Sequence, residues 1–172
     1  MTYPVADLVA MGRFPYRRLL SPLTKDDRDA VARAIDAVGL AGYEKRAMQH
    51  LSGGEQQRAW LAVLLAQDAP ILLLDEPTTY LDVRHQLRIL KLLRDINETW
   101  KKTIVIVLQR HEIQAYQYAD DVIIMKEGAI VSTGAPHDIL TPAMLRDVFD
   151  IEAEVVATKD GRPFIVPTDA LP

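Results

Sequence analysis

Residues 51–82 read LSGGEQQRAWLAVLLAQDAPILLLDEPTTYLD, and the order of polar and apolar residues in this stretch decides the fold. A serine and two glycines precede a long apolar run, which predicts a helix capped by that serine. Four apolar residues at 71–74 predict a short buried strand that ends at two acids, Asp75 and Glu76. Residues 103–108 have the near-continuous apolar pattern of a strand in a parallel sheet that is covered on both faces. We therefore expect an α/β fold.

Two further helices are expected on either side of this stretch. Thr24 is predicted to be an N-cap, because acidic residues follow it in the first turn, where the helix dipole favours negative charge. Gly39 is expected to end that helix. Residues 83–100 have the spacing of an amphipathic helix. Its apolar face is predicted to consist of Leu87, Leu90, Leu93 and Ile96.

The C-terminal part is predicted to contain two hairpins and a helical stretch between them. The first hairpin covers residues 121–134 and turns at Lys126–Gly128, where a glycine follows two polar residues. The second covers residues 151–167, with Asp160–Gly161 at its turn. Residues 137–150 are expected to be helical.

Composition limits the classes of function. The net charge of −4 argues against a general nucleic-acid binder, which is usually basic. The chain has no cysteine, so disulfides and thiolate metal sites are excluded. Its start lacks the pattern of a signal peptide, and its longest apolar run, residues 59–66, is far shorter than the ~20 residues of a membrane span. We expect a cytoplasmic protein that meets a membrane only through a partner.

The turn at Ser52, Gly53 and Gly54 has the chemistry of an anion site. Serine caps a helix, and glycines let a ligand approach the backbone because they have no Cβ. The free N–H groups at such a helix start favour phosphate. Taken alone, such a turn is more often a capped helix that binds nothing.

Asp75 and Glu76 form the second candidate site. The carboxyl end of a parallel strand opens at the edge of the sheet where ligands bind in α/β proteins. Two adjacent acids at this place can divide the work, one supporting Mg²⁺ and the other polarising an attacking water. A lone pair of acids after a strand is otherwise common in solvated loops.

Taken as one unit, the quoted stretch closely resembles the ATPase subunits of ABC transporters. Residues 51–55 resemble the family signature, residues 71–76 the Walker B motif and residues 79–82 the D-loop. The resemblance implies a P-loop NTPase-like (RecA-like) parallel sheet core with an ABC helical subdomain. It extends from about residue 5 to at least residue 140.

The resemblance also suggests a subgroup. Residues 5–20, VADLVAMGRFPYRRLL, and residues 75–90, DEPTTYLDVRHQLRIL, are most similar to importers for iron–siderophore complexes or related metal chelates. The implied domains are a helical subdomain remainder at 1–50, the signature, Walker B, D-loop and C-terminal part of the ATPase core at 51–140, and a C-terminal helix and hairpin at 141–172.

Family membership implies roles for individual residues. Asp75 would support Mg²⁺ through water, and Glu76 would be the general base or the residue that positions water. Asp82 would lie at the dimer contact that joins two shared sites. The implied cofactors are ATP and Mg²⁺, and the implied nucleotide-binding residues are Ser52, Gly53, Gly54, Glu55, Gln56 and Asp82. The γ-phosphate that the signature touches would be held mainly by the opposite subunit.

The sequence departs from the family pattern at two places. The phosphate-loop motif G-x-x-x-x-G-K-[ST] is absent from the 172 residues, as are the glutamine loop and the aromatic that stacks on adenine. We therefore expect an N-terminally truncated ATPase that begins inside the helical subdomain. After residues 103–108 the family usually has a catalytic histidine, but here Gln109 and Arg110 precede His111. One extra residue turns side chains by about 100° on a helix, so we expect this switch to be lost unless the local turn presents His111.

These observations lead to one principal hypothesis and two alternatives. The principal hypothesis is the ATP-binding and ATP-hydrolysing subunit of a metal-chelate importer, incomplete and inactive alone. It would be peripheral on the inner face of the cell membrane, bound to a transmembrane permease and paired as a homodimer or with an intact ATPase subunit, without nucleic acid. The first alternative is a non-catalytic partner that offers its signature face to an intact ATPase. The second is a fragment of a chromosome-maintenance ATPase, which lacks support because no sustained heptads occur.

Overall fold

The computed structural model shows two compact units, Met1–Val107 and Leu108–Pro172, and each is described here by itself. The structure describes residues 3–18, 21–79, 81–108, 116–157 and 163–170. Among these residues, no helix combines the length and the apolar character needed to span a lipid bilayer.

The described residues of the first unit form four α-helices, two 3-10 helices and two strands. Their order is α1 Val5–Ala10, η1 Met11–Tyr16, α2 Lys25–Ala37, η2 Met48–His50, α3 Gly53–Ala66, β1 Ile71–Asp75, α4 Val83–Trp100 and β2 Thr103–Val107. The predicted strands and the predicted helix at 83–100 are confirmed to within one residue.

Helix α2 begins and ends where the sequence predicts. The Thr24 hydroxyl accepts a hydrogen bond from the Asp27 N–H, and the Asp27 carboxylate accepts one from the Thr24 N–H, so the two residues form a capping box. The helix ends at Ala37, and Gly39 follows with φ of +68°, a conformation that glycine adopts without strain. The Thr24 cap and the Gly39 stop are confirmed.

Strands β1 and β2 pair in parallel, from Ile71 opposite Thr103 to Asp75 opposite Val107. One face of this pair packs on the helices, where Leu72 is buried and Ile104 and Ile106 are partly buried. The opposite face is exposed, and its residues are Ile71, Leu73, Val105 and Val107. The expectation of a sheet covered on both faces is wrong for the described residues, because helices pack on only one side.

Helix α4 buries a slightly different stripe from the predicted one. Leu90, Leu93 and Ile96 are buried as predicted, but Leu87 is 41% exposed and Ile89 is buried instead. Residues 89, 93 and 96 fall at i, i+4 and i+7 on one side of the helix, whereas position 87 lies at the edge of that stripe. The core of this unit collects side chains from α1, α2, α3, α4 and β1.

The described residues of the second unit include two hairpins and two short α-helices. Strands β3 Val122–Lys126 and β4 Ala129–Gly134 pair antiparallel, as do β5 Ile151–Ala157 and β6 Pro163–Ala170, which confirms both hairpins. The helical stretch is divided into α5 Pro136–Ile139 and α6 Pro142–Phe149. Thr141 caps the second helix and Pro142 starts it, which is a favoured place for a residue without an N–H. The predicted turn at Asp160–Gly161 lies outside the described residues.

Candidate functional site

The first candidate element is the start of α3. Ser52 is the N-cap, and its hydroxyl accepts a hydrogen bond from the Glu55 N–H at 3.4 Å. The Glu55 carboxylate in turn accepts bonds from the Ser52 N–H and the Ser52 hydroxyl, both at 2.8 Å. These bonds hold the pKa of Glu55 below its ordinary value, the Ser52 N–H being the largest cause. The turn is therefore fixed before any ligand arrives.

The two glycines leave this helix start open. By helix geometry the N–H groups of Gly53 and Gly54 have no partner within the helix. Gly53 is exposed, and a Cβ placed there would meet nothing within 4 Å. Gly54 is buried, and a Cβ there would lie 2.9 Å from Cδ2 of His85. The turn thus fits the close approach of an anionic group such as phosphate from the Gly53 side.

Gln56 lies behind this opening. Its side-chain Nε2 donates a hydrogen bond to the carbonyl of Leu51 at 3.0 Å, and its N–H donates to the Ser52 carbonyl at 2.9 Å. These contacts tie the first turn of α3 to the segment before it. Direct contact of Gln56 with a nucleotide stays a prediction.

The second candidate element is the end of β1. Asp75 is the last strand residue and is exposed, which suits a hard cation that prefers carboxylate and water oxygens. Glu76 follows with φ of +46°, an unusual conformation for a non-glycine residue. Its N–H donates to the Val107 carbonyl at the end of β2 at 3.0 Å, and its Oε2 accepts a bond from the Thr79 hydroxyl at 3.0 Å. The local backbone and Thr79 therefore fix the direction of the carboxylate.

The third candidate element is the start of α4. Asp82 is the N-cap and accepts a bond from the His85 N–H at 2.9 Å. Nδ1 of His85 lies 2.9 Å from both carboxylate oxygens of Asp82. These contacts hold the pKa of Asp82 below its ordinary value, the backbone N–H of His85 being the largest cause.

The structure joins two of the three elements directly. His85 touches Gly54 with one side of its ring and Asp82 with the other, so the starts of α3 and α4 lie together. Gln109, Arg110 and His111 lie outside the described residues. Within the described ranges, no three His, Asp or Glu side chains assemble into a group that could hold a metal ion. Support of Mg²⁺ by Asp75 therefore stays a prediction.

Two residues that contact the candidate site, His85 and Thr79, were not identified from the sequence. No role was predicted for His85, yet it is half-buried between two candidate elements. Its position three residues after Asp82 could have indicated the contact between these two residues, because side chains at i and i+3 meet at a helix start. Thr79 donates a hydrogen bond to Glu76 at the same spacing. This contact could not be predicted, because it depends on the positive φ of Glu76, which the sequence does not indicate.

Comparison with known proteins supports the resemblance to ABC transporter ATPases. The ABC transporter family model matches residues 6–79. The petrobactin import ATP-binding protein FpuC of Bacillus anthracis is 42% identical over 164 residues, which are 95% of this chain and 59% of FpuC. The ferric enterobactin transport ATP-binding protein FepC of Escherichia coli is 39% identical over 165 residues, 95% of this chain and 60% of FepC. The chain spans about 60% of the length of these curated relatives.

Solved structures show the same fold. A metal-chelate type ABC transporter in an inward-facing conformation matches with a TM-score of 0.87 and 26% identity, covering 98% of this chain and 68% of that chain. The ATP-binding cassette MJ0796, solved as a dimer with ADP and Pi, matches with a TM-score of 0.60 and 28% identity over 78% of this chain and 58% of that chain. The predicted P-loop NTPase-like fold is thereby confirmed.

Proposed function

Because this chain belongs to the family of ABC transporter ATP-binding proteins, we propose that it is the signature-bearing part of the ATP-binding subunit of an importer for iron–siderophore or related metal chelates. The observation that carries the proposal is the start of α3, where a capped and sterically open turn presents the N–H groups of Gly53 and Gly54. The names of its relatives support the substrate class, since FpuC is a petrobactin import protein and FepC a ferric enterobactin transport protein.

Each element of the site has a task in this function. Ser52, Gly53 and Gly54 donate hydrogen bonds to the terminal phosphate of a nucleotide that a second subunit holds. Asp75 offers its exposed carboxylate to the water shell of Mg²⁺, which when bound neutralises charge on the phosphates. Glu76, held by Thr79 and the Val107 carbonyl, accepts a proton from an attacking water or orients it.

The partners follow from the same arrangement. A signature turn completes a site on a second nucleotide-binding subunit, so the functional form is a dimer of such subunits, with Asp82 near the contact. The dimer would bind a transmembrane permease at the inner face of the cell membrane. The dimeric MJ0796 cassette with ADP and Pi supports this assembly.

A second candidate function is a non-catalytic partner that completes the site of an intact ATPase. The observation that favours it is the capped and open turn at Ser52 and Gly53, which can act on a nucleotide that another protein holds. In this case Ser52 and the two glycines would act on a nucleotide held by the other protein, while Asp75 and Glu76 would be idle.

The isolated 172-residue chain is expected to bind Mg·ATP very weakly. A charge-assisted hydrogen bond contributes roughly 1.5–3 kcal/mol, whereas association costs an estimated 4–15 kcal/mol, so the few donors at the signature turn cannot hold the nucleotide alone. Titration calorimetry with Mg·ATP measures this directly. Micromolar affinity of the isolated chain would overturn the composite-site view.

A chimera decides between the two functions. The part of FpuC that this chain does not match would be joined to this chain, and steady-state ATP hydrolysis would be measured. Turnover that Glu76→Gln abolishes while ATP binding persists supports the catalytic role. Turnover that is unchanged by Glu76→Gln removes Glu76 from the mechanism. Hydrolysis only in mixtures with an intact subunit, still present in Glu76→Gln, favours the non-catalytic partner.

His111 can be tested in the same chimera. If the extra residue after 103–108 has displaced the switch, His111→Ala changes the hydrolysis rate little. A collapse of the rate would show that His111 does reach the γ-phosphate.

A further inference from the structure

The ring of His85 lies between the two helix starts that the proposed function uses. On one side, Cδ2 and Nε2 lie 2.9 Å and 3.5 Å from the position that a Cβ of Gly54 would take. On the other side, Nδ1 lies 2.9 Å from both carboxylate oxygens of Asp82. One side chain therefore contacts both the signature turn of α3 and the capping aspartate of α4.

The two contacts depend on each other. A flexible surface side chain would swing away from a new methyl group at position 54 at little cost. The His85 ring cannot do so freely, because moving it breaks the hydrogen bond from its Nδ1 to the Asp82 carboxylate. Asp82 is itself held in place by its bond from the His85 N–H at the start of α4. The space in front of Gly54 is therefore set by the Asp82 cap.

Gly53 provides the contrast within the same turn. A Cβ at this position would meet nothing within 4 Å, so a side chain is sterically allowed. Neither glycine has a positive φ, so neither is required for its backbone conformation. The need for glycine at position 54 thus comes from the His85 ring, whereas at position 53 it would come only from an approaching ligand.

We propose that His85 is a positioning residue that fastens the signature turn, residues 52–54, to the Asp82 cap of α4, so that the two helix starts meet a nucleotide as one body. Its functional consequence rests on the function proposed above. The contact itself is a property of the chain without nucleotide, and it can be tested without nucleotide.

The first test is a double-mutant cycle on the 172-residue chain, read out as Tm. Gly54→Ala should lower Tm by about 2–8 °C, the range expected for one methyl group too many in a packed contact. In the His85→Ala background the same change should cost little, because the ring has gone. Gly53→Ala is the matched control and should behave the same in both backgrounds. Equal losses for Gly54→Ala in both backgrounds would overturn the proposal.

The second test separates positioning from general stability. Amide hydrogen exchange of Glu55 and Gln56, whose N–H groups bond to Ser52, reports on the signature turn. His85→Ala should speed exchange by about tenfold or more at these two amides, and also at the start of α4, while leaving helix α2 unchanged. His85→Asn keeps a donor for Asp82 but lacks the ring, so it should restore slow exchange near the α4 start and not at Glu55. Uniform acceleration over the whole unit would show a structural role only and would contradict the proposal.

The functional arm uses the FpuC chimera. If the two helix starts act as one body, His85→Ala lowers kcat for ATP hydrolysis at least tenfold with a smaller change in KM, since the signature turn is needed most in the transition state. An unchanged kcat in an active chimera overturns the functional consequence. A chimera without any ATPase activity would instead count against the function proposed above, and the exchange and Tm results would stand on their own.

Discussion

Helices α2 and α3 both begin with a capping box, but the surroundings of the two boxes differ. Thr24 and Asp27 form one capping box, with oxygen–oxygen and nitrogen–oxygen distances of 2.7–3.1 Å. Ser52 and Glu55 form the other, with distances of 2.8–3.4 Å. The bonds alone do not tell which helix start is open to a ligand. The surroundings of the two boxes do.

The guanidinium of Arg13 covers the capping box of α2. Arg13 donates from Nε to Asp27 Oδ1 at 2.9 Å and from a terminal nitrogen to the Ala66 carbonyl, at the end of α3, at 2.9 Å. Asp27 is only 3% exposed. Arg13 thus pairs with the Asp27 carboxylate at the start of one helix and complements the negative end of another. Its guanidinium also lies 4.0 Å from the centre of the Tyr16 ring. This start is filled by the protein itself, whereas the start of α3 is bordered by two glycines and stays open.

The largest expected effect comes from Gly12→Ala. This substitution would displace the segment that carries Arg13, which covers the capping box of α2. A Cβ at Gly12 would lie 2.2 Å from the Val63 carbonyl oxygen and 3.1 Å from the Ala66 Cβ. The helix η1 would have to move off α3 and take Arg13 with it. We expect a loss of about 3 kcal/mol or more in unfolding free energy, measured by urea denaturation. Gly53→Ala is the control, and a loss for Gly12→Ala no larger than for that control would contradict the role of close packing here.

The second effect comes from Asp27→Asn, which leaves the guanidinium of Arg13 without its carboxylate. Several degrees in Tm should be lost at neutral pH, because the variant keeps an oxygen for the cap but not the charge. The bonds from Thr24 and Arg13 lower the pKa of Asp27 from 3.8 to about 2. A carboxyl whose pKa is lower in the folded state stabilises the fold above its unfolded pKa, and this contribution is lost as the pH falls from about 4 to 2. The Tm difference between the two proteins should therefore shrink over that interval; a difference that stays constant would exclude the charge as its cause.

The third effect comes from Ser52→Ala, in the open box. Loss of the capping hydroxyl should cost about 1 kcal/mol, within the usual range of roughly 0.5–2 kcal/mol for an N-cap. Ser52→Thr keeps the hydroxyl and should recover most of the loss. Urea denaturation of the three proteins measures both values. If Ser52→Ala costs more than Gly12→Ala, the open box supports the fold more than the closed one and the comparison is reversed.

The sequence predicted both N-caps, Thr24 and Ser52, but not the reciprocal bonds that make them capping boxes or the difference between the two helix starts. Helix caps depend on residues three apart, so Thr24 and Ser52 could be identified from local pattern alone. Strands β1 and β2 could be identified for the same reason, since their apolar runs are continuous. Arg13 lies 14 residues from Asp27 and 53 from Ala66, and such contacts arise only from the packing of η1 on α2 and α3. These long-range contacts cannot be predicted from the local sequence pattern.

The same limit applies to the candidate site. Ser52, Asp75 and Glu76 were proposed because Ser52 precedes a helix and the two acids lie at the end of a strand, whereas Asp82 was proposed only from the resemblance to the family D-loop. The contact of His85 with Gly54 joins the starts of two helices that are separated by β1 and a loop. It was missed because an amphipathic pattern gives the face of a helix but not what that face meets.

The smallest expected effect comes from Glu55→Gln, and it tests the open box where it meets solvent. Glutamine at this position still accepts the Ser52 N–H with its side-chain oxygen, so the capping box survives the change. The Ser52 N–H is the largest cause of the lowered pKa of Glu55, and this part of the stabilisation is present above the unfolded pKa and lost as the pH falls. Because Glu55 is partly exposed, solvent screens its charge, and we expect Tm at neutral pH to change by no more than about 2 °C.

Asp27→Asn is the matched control, since both variants replace a carboxylate by its amide at the third position of a capping box. In the FpuC chimera, Glu55→Gln should also tighten Mg·ATP binding slightly, because it removes a negative charge from the helix start that we propose to face the phosphates. A loss of Tm equal to that of Asp27→Asn would mean that Glu55 is as deeply involved in the fold as Asp27. The two helix starts would then differ only in the glycines, and the open turn of α3 would be explained by Gly53 and Gly54 alone.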